Sequence, residues 1–243
     1  MQTIGLIGGM SWESSAHYYR LINQGVRDRL GDSHSAKSVM VSVDFAEIDR
    51  LQHDGDWAAL GAAMAEAAQA TARAGADFLI LCTNTMHKLA PEIEAAVDIP
   101  LLHIVDPAAA AIRARGMTRV GLIGTAFTME QDFYRARIER AGGERAGGER
   151  AGVEVIVPEP GDRRVVHDII YRELVRGIID DASRTAYRDV IARLIARGAE
   201  GIVLGCTEIM LLIGQGDSAV PLFDTTTLHA SAAVDRALGG VAS

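Results

Sequence analysis

The chain has 243 residues, of which 49% are hydrophobic, so it can bury a sizeable core as one large domain or two small ones, and it is not disordered as a whole. Its 24 Lys and Arg against 32 Asp and Glu give a formal net charge of −8, which argues against nucleic acid or an anionic membrane as the main partner. No apolar run approaches the ~18 residues of a membrane span, and the start MQTIGLIGGM lacks the basic region of a signal peptide. We therefore expect a soluble, cytoplasmic protein.

Short apolar runs alternate with longer helical patterns along the chain. The runs predict strands buried on both faces, at Ile4–Ile7, Val39–Val43, Phe78–Leu81, Leu101–Val105, Val120–Ile123, Val153–Val157 and Ile202–Leu204. Between them, helices are indicated by the stripe Tyr18, Ile22, Val26 and Leu30, by the Ala-rich segment 56–74, and by Tyr187 to Ile195. This alternation predicts a parallel α/β fold whose strand-to-helix loops lie along one sheet edge, where ligands usually bind.

The sequence also resembles itself. IGLIG at 4–8 recurs as VGLIG at 120–124, and FLILCT at 78–83 recurs as IVLGCT at 202–207. The repeat predicts two pseudo-symmetric lobes, each a mostly parallel sheet flanked by helices, with the active site in the cleft between them. We place the first lobe at 1–105, with a C-terminal helix 222–243 packing back on it, and the second at 106–221. The tandem ERAGG repeat within 139–152 is interpreted as a local expansion without function.

The two cysteines, Cys82 and Cys206, are too few for a disulfide scaffold or a Cys-rich zinc site, and we predict no metal. Each ends a predicted strand and precedes a threonine. After Cys82, Thr83 or Asn84 is a suitable N-cap for a following helix, and Thr85 adds a third polar side chain. The free N–H groups of such a helix start would attract a carboxylate and lower the pKa of the thiol. Two inert buried thiols are the alternative.

The second motif, Gly205-Cys206-Thr207-Glu208, repeats this arrangement. Gly205 would let backbone or ligand approach closely, and Glu208 either favours the helix start or holds a thiol proton or a substrate ammonium. Two opposed thiols suit stereoinversion, because one thiolate removes an α-proton while the other thiol protonates the opposite face. The carbanion would be stabilised by hydrogen bonds to the substrate carboxylate from Thr83, Asn84, Thr85 and Thr207.

Other polar groups allow weaker inferences. The loop at 8–12 carries no phosphate-binding motif and suits a small ligand, with Gly124-Thr125 as its counterpart. Arg163 and Arg164 lie at the start of a predicted helical segment. They are either solvated surface charges or ligands for a carboxylate. Four histidines lack metal-ligand spacing and are expected to be structural or on the surface: His87, His103, His167 and His229.

Together these motifs resemble the aspartate/glutamate racemase family over nearly the whole chain, and most closely its aspartate and broad-specificity branch. The matching segments are IGLIGGMSWESSAHYY at 4–19, VDFAEI at 43–48, LCTNTMH at 81–87, VGLIGT at 120–125, LGCTEI at 204–209 and PLFDTTTLHA at 221–230. The resemblance implies a cofactor-independent racemase, a homodimer, with Cys82 and Cys206 as its two bases. It implies substrate contacts at Met10, Gln52, Thr83, Asn84, Thr85, Thr125 and Thr207, and a basic residue for a distal carboxylate at Arg163 or Arg164.

The expected reaction is interconversion of L- and D-aspartate, or of L- and D-glutamate. A broad-specificity racemase of neutral amino acids is the first alternative, and it would fit a site with no cation for a second carboxylate. Relatives on the same scaffold resemble hydantoin racemases, maleate isomerases and decarboxylases. A non-catalytic amino-acid- or carboxylate-binding protein is an alternative from another class. A thiol redox pair is a third, which needs Cα atoms within about 7 Å.

Overall fold

The computed structural model describes residues 1–140 and 152–239, so most of the expected ERAGG expansion lies outside the described residues. The chain divides into two compact units. The first contains Met1–Ile104 and the chain from Thr226 onward, and the second contains Val105–Thr225. Each unit has its own sheet and its own core.

The elements follow one another in strand and helix alternation. Up to residue 114 they are β1 (Ile4–Gly8), α1 (Trp12–Leu30), β2 (Ser38–Ser42), α2 (Phe45–Asp54), α3 (Trp57–Arg73), β3 (Phe78–Leu81), a 3₁₀ helix (Thr85–Leu89), α4 (Ala90–Ala96), β4 (Leu101–Leu102) and α5 (Val105–Ala114). They continue as β5 (Arg119–Gly124), α6 (Ala126–Glu130), α7 (Asp132–Arg140), β6 (Glu154–Ile156), α8 (Pro160–Arg172), a 3₁₀ helix (Leu174–Arg176), α9 (Asp181–Ala196), β7 (Ile202–Gly205), α10 (Ile209–Leu212), a 3₁₀ helix (Gln215–Asp217), β8 (Leu222–Asp224) and α11 (Thr225–Ala237).

Each unit contains a four-stranded parallel sheet, with strand order β2-β1-β3-β4 in the first and β6-β5-β7-β8 in the second. This confirms the predicted α/β fold with two similar halves. Several bounds differ from the sequence prediction: β2 and β6 end before Val43 and Val157, and two further differences affect neighbouring helices. β4 is only Leu101–Leu102, because Val105 already begins α5. Residues Leu222–Asp224 form β8 in the second sheet, so the last helix begins at Thr225 and not at 222.

The repeated glycines at the centre of β1 and β5 have a packing cause. A Cβ at Gly5 would lie 2.6 Å from Cγ2 of Thr71, so α3 can approach the first sheet only over a glycine. A Cβ at Gly121 would lie 2.7 Å from Cδ1 of Ile202 and 3.0 Å from Cδ1 of Leu194, which places α9 equally close to the second sheet. The repeat in the sequence therefore marks the same helix-on-strand contact in both units.

Both faces of the first sheet are covered. Ile7, Leu79 and Leu81 pack under α3, whereas Leu6 and Ile80 lie in a separate apolar cluster with α1 and α11. The predicted α1 stripe is buried at Tyr18, Ile22 and Val26, but it is wrong at its end, since Leu30 is 44% exposed beside the helix terminus. Within the part of the chain that the structure describes, every helix is too short or too polar to cross a membrane.

Candidate active site

One group of candidate residues, the first half-site, lies where β3 ends in the first unit. Cys82 follows β3 directly, and its backbone N–H donates to the carbonyl of Ile7 in the neighbouring β1 at 2.9 Å. Its side chain is fully buried in the apolar cluster that includes Leu6 and Ile80. Burial raises the pKa of the Cys82 thiol well above its ordinary value, because a thiolate loses its hydration there. The predicted lowering of this pKa is therefore wrong.

Three buried polar residues, Thr83, Asn84 and Thr85, follow the thiol. The chain turns here into the 3₁₀ helix Thr85–Leu89 and then into α4. Asn84 stands at the N-cap position of the 3₁₀ helix, but its side chain makes no capping hydrogen bond, so the cap predicted there is absent. The residues nevertheless bring two hydroxyls and a carboxamide to the carboxyl end of β3, beside Cys82.

The loop after β1 is fixed by serines that the sequence reasoning passed over. The Ser15 hydroxyl accepts a hydrogen bond from the Gly9 N–H at 2.8 Å and donates to the carbonyl of Ser11 at 3.0 Å. Gly9 has φ +95, and a Cβ there would collide with the backbone of Val43. Met10, 5% exposed, is thereby held at the same sheet edge. The SWESS segment contained this signal as an N-cap serine followed by serines in the first helical turn.

Gln52 and Met10 both belong to the first unit. Gln52 is 3% exposed near the end of α2, and Met10 packs in the cluster that includes Leu81 and Met86. Met10 therefore lies at the carboxyl end of β1, the strand adjacent to the one that Cys82 follows.

A second group of candidate residues, the second half-site, repeats this arrangement at the end of β7 in the second unit. Cys206, 7% exposed, donates its thiol proton to Oε2 of Glu208 at 3.0 Å, and the Thr207 hydroxyl donates to the same oxygen at 2.9 Å. Burial raises the pKa of the Cys206 thiol well above its ordinary value, and the charge of Glu208 and its hydrogen bond raise it further. Backbone hydrogen bonds from Glu208 and Ile209 act in the opposite direction but are weaker. The predicted lowering of the thiol pKa is wrong here also.

β5 and β7 meet closely beside Cys206. Gly124 and Gly205 are register partners, and a Cβ at Gly124 would lie 2.7 Å from the carbonyl oxygen of Gly205. The close approach predicted for Gly205 is thus made by the neighbouring strand. Thr125 follows β5 and caps α6, where its hydroxyl accepts from the Thr128 N–H at 3.3 Å. Thr125 and Cys206 therefore lie at the carboxyl ends of adjacent strands.

Arg163 lies in the first turn of α8, with its side chain 24% exposed. Its Nε lies 2.9 Å from Oε1 of Glu130, so the guanidinium is engaged in an ion pair. Arg164 is exposed. An approaching carboxylate would have to compete with Glu130 for the Arg163 charge.

Two buried tyrosines make hydrogen bonds that the sequence analysis did not predict, although Tyr18 itself was placed on the buried stripe of α1. Tyr18 and Tyr134 are separated by the same spacing as the two IGLIG-like strands, so the repeat itself could have revealed them. The Tyr18 hydroxyl is 2.9 Å from Nδ1 of His229, and Tyr134 makes a side-chain hydrogen bond with Thr225. Burial raises the pKa of Tyr134 well above its ordinary value, and the charge of a Cys206 thiolate would raise it further.

Within residues 1–140 and 152–239, His, Cys, Asp and Glu side chains form no group of three or more that could hold a metal ion. Both cysteines are free thiols. Each unit thus presents one buried Cys-Thr pair at the carboxyl end of the third strand of its sheet. The protein is therefore a two-unit α/β protein in which each parallel sheet carries a buried thiol at the carboxyl end of an inner strand.

The family model for Asp/Glu/hydantoin racemases matches residues 7–233, and the chain belongs to this family. A crystal structure of a candidate Asp/Glu racemase from Yersinia pestis is 52% identical over 98% of this chain and all of that one, with a TM-score of 0.87. An aspartate racemase homologue from Pyrococcus horikoshii is 30% identical over 98% of this chain and all of that one, with a TM-score of 0.81. The glutamate racemase of Persephonella marina is 27% identical over 57% of this chain. The match covers 48% of the length of that curated relative.

Proposed function

We propose that the protein is a cofactor-independent amino-acid racemase that interconverts L- and D-aspartate, or L- and D-glutamate, through Cys82 and Cys206. The observation that carries the proposal is the duplicated Cys-Thr pair at the carboxyl ends of β3 and β7. A protein that only bound an amino acid would need one such cradle and no thiol in it. Membership of the racemase family supports the same reaction class.

In the proposed reaction, one cysteine as thiolate removes the α-proton and the S–H bond forms as the C–H bond breaks. The electron pair left on the α-carbon delocalises into the substrate carboxylate. The thiol of the other cysteine then delivers its proton to the opposite face and becomes the thiolate. Atoms and charge balance, and the reverse reaction exchanges the two roles. Hydrogen bonds from Thr83, Asn84 and Thr85 would stabilise the carboxylate as it gains negative charge. Thr207 would join them once its hydroxyl turns from Glu208 to the substrate.

Ionisation of a thiol is the costly step of this reaction, because burial raises the pKa of both Cys82 and Cys206. An amino-acid substrate brings an ammonium group, and a positive charge within a few ångströms favours the thiolate. For Cys206, the carboxylate of Glu208 accepts a hydrogen bond from the thiol at 3.0 Å and favours its neutral form, so the substrate ammonium must offset this charge as well. We therefore expect the active thiolate to form when substrate binds.

Met10, Gln52 and Thr125 are the remaining substrate contacts in the proposal, and Arg163 is the cation for a second carboxylate. The ion pair between Arg163 and Glu130 favours a second candidate, a broad-specificity racemase of neutral amino acids. In that case Arg163 would stay paired with Glu130 while substrate is bound. A homodimer is proposed from the resemblance alone, and analytical ultracentrifugation would test it.

The test is α-proton exchange in deuterated buffer, with reductant and no added cofactor, on both enantiomers of aspartate, glutamate and alanine. NMR reports loss of the α-proton and chiral chromatography reports inversion. We expect exchange with inversion from either enantiomer, and the ranking of the three amino acids decides between the acidic and neutral candidates. An absence of exchange with all of them would refute racemisation of these substrates.

The same assay on Cys82→Ser and Cys206→Ser tests the two thiols. Each variant should lose about 10²- to 10⁴-fold in rate, because a serine hydroxyl is a poor base in place of a thiolate. Circular dichroism and thermal melting should show the wild-type fold in both variants. Normal racemisation by either folded variant would contradict the two-thiol mechanism.

A further inference from the structure

A network of three buried histidines lies behind the turn that carries Cys82. His87, His103 and His229 are each at most 3% exposed, and all belong to the first unit. His87 is in the 3₁₀ helix that follows the thiol. Its Nδ1 is 2.7 Å from the carbonyl oxygen of Thr83, and its Nε2 is 3.1 Å from the backbone nitrogen of Ile104.

The two hydrogen bonds define the protonation of the His87 ring. A backbone N–H can only donate, so Nε2 must accept the bond from Ile104 and carries no proton. The ring proton is then on Nδ1, where it donates to the carbonyl of Thr83. His87 is thus a neutral imidazole whose two nitrogens bridge Thr83, beside Cys82, to the end of the first unit at Ile104.

Neighbouring rings restrict the orientation of His87. The ring of His103 lies 4.5 Å from that of His87 between centroids, and the ring of His229 lies 5.9 Å away. His229 is itself fixed, since its Nε2 is 2.8 Å from the carbonyl of Leu102 and its Nδ1 is 2.9 Å from the Tyr18 hydroxyl. The carbonyl of Thr83 is therefore bound to a rigid, fully enclosed ring.

We propose that His87 is the positioning residue of the first half-site and that its Nδ1–H bond to the Thr83 carbonyl holds Cys82 and the polar side chains after it in place. The catalytic meaning of this role rests on the proposed racemase function. The second half-site has no counterpart, because the residue five positions after Cys206 is Leu211, which is 36% exposed. There the thiol is hydrogen-bonded to Glu208 instead.

Two isosteric variants separate the two bonds of His87. In His87→Asn the side-chain amide can take the place of Nδ1 and donate to Thr83. In His87→Gln the amide oxygen can take the place of Nε2 and accept from Ile104, but the donor to Thr83 is lost. We expect His87→Gln to lower kcat/KM for racemisation and His87→Asn to retain most of the wild-type value.

Alkylation of the native protein by iodoacetamide, read by mass spectrometry of each cysteine peptide, tests the positioning without depending on activity. Cys82 is fully buried, so its alkylation reports opening of the turn. Loss of one hydrogen bond should raise the Cys82 rate about two- to tenfold in His87→Gln. The rate should stay near that of the wild type in His87→Asn, and Cys206 in the same molecule is the internal control.

Three results would overturn the proposal: equal acceleration at Cys82 and Cys206, acceleration as large in His87→Asn as in His87→Gln, or an unchanged Cys82 rate in folded His87→Gln. Failure of the racemase function is distinguishable from these. A wild-type protein without exchange activity, but with selective alkylation of Cys82 in His87→Gln, would refute the function and leave the positioning supported.

Discussion

Replacing Glu208 by glutamine removes the negative charge beside the Cys206 thiol while keeping the size of the side chain. The thiol donates to Oε2 of Glu208 at 3.0 Å, and both groups are buried. This charge and this hydrogen bond favour the neutral thiol, so they raise the pKa of Cys206 above the effect of burial. The change Glu208→Gln must therefore lower that pKa and move ionisation of the thiol to lower pH.

The magnitude follows from the loss of the charge, because the amide oxygen of a glutamine can still accept a neutral hydrogen bond from the thiol. A hydrogen bond to a charged group is worth about 1.5–3 kcal/mol and a neutral one about 0.5–1.5 kcal/mol, so about 1–1.5 kcal/mol is lost. About 1.4 kcal/mol corresponds to a factor of ten, so at any pH below the pKa the Cys206 thiolate population should rise about 5- to 12-fold in the variant.

The assay is the pH dependence of Cys206 alkylation and of thiolate ultraviolet absorbance, in a Cys82→Ser background. The whole titration curve should move to lower pH in Glu208→Gln. The matched control is Asp189→Asn, which neutralises an exposed acid of the same unit and should leave the curve in place. A Glu208→Gln curve that coincides with the parent, or moves to higher pH, would refute this electrostatic reasoning.

Two further predictions concern stability. Gly5→Ala should destabilise the first unit by about 1–3 kcal/mol, measured by chemical denaturation, because the new Cβ lies 2.6 Å from Thr71, and an unchanged midpoint would disprove the close contact. Asp180→Ala should lower the free energy of unfolding by about 0.5–2 kcal/mol, because Asp180 caps α9 by accepting from the backbone N–H groups of Ala182 and Ser183. Asp189→Ala, at an exposed position of the same helix, is the control and should cost less; equal losses would argue against the cap.

The strands were the most predictable part of the fold, because a strand covered on both faces is written as an unbroken apolar run. The exception is instructive. The segment Leu101–Val105 was predicted as a strand although His103 interrupts it, and only Leu101 and Leu102 pair, since Val105 is the first residue of α5. An apolar residue at the boundary between a strand and a helix is buried in both elements, so its hydrophobicity does not tell which of the two it belongs to.

At the candidate site the sequence identified residue types but not their electrostatics. The position of Cys82 after a strand was predictable, but the depth of its burial depends on α1 and α11 packing over it from distant parts of the chain. The same is true of Glu208, whose carboxylate turns toward Cys206 and raises the pKa of the thiol. The hydrogen bond from Ile104 to His87 likewise joins residues that no short-range pattern connects.

The division of the chain also constrains the order in which it folds during synthesis. The second unit is continuous from Val105 to Thr225, but the first is completed only by the residues that follow. Ala230, Ala233 and Val234 of α11 fill the cluster around Leu6. When synthesis has reached Thr225, the second unit is therefore complete, whereas the first unit still lacks the α11 part of the cluster around Leu6. The first unit is synthesised first but completes its core last, and a chain that ended before α11 would lack part of that core.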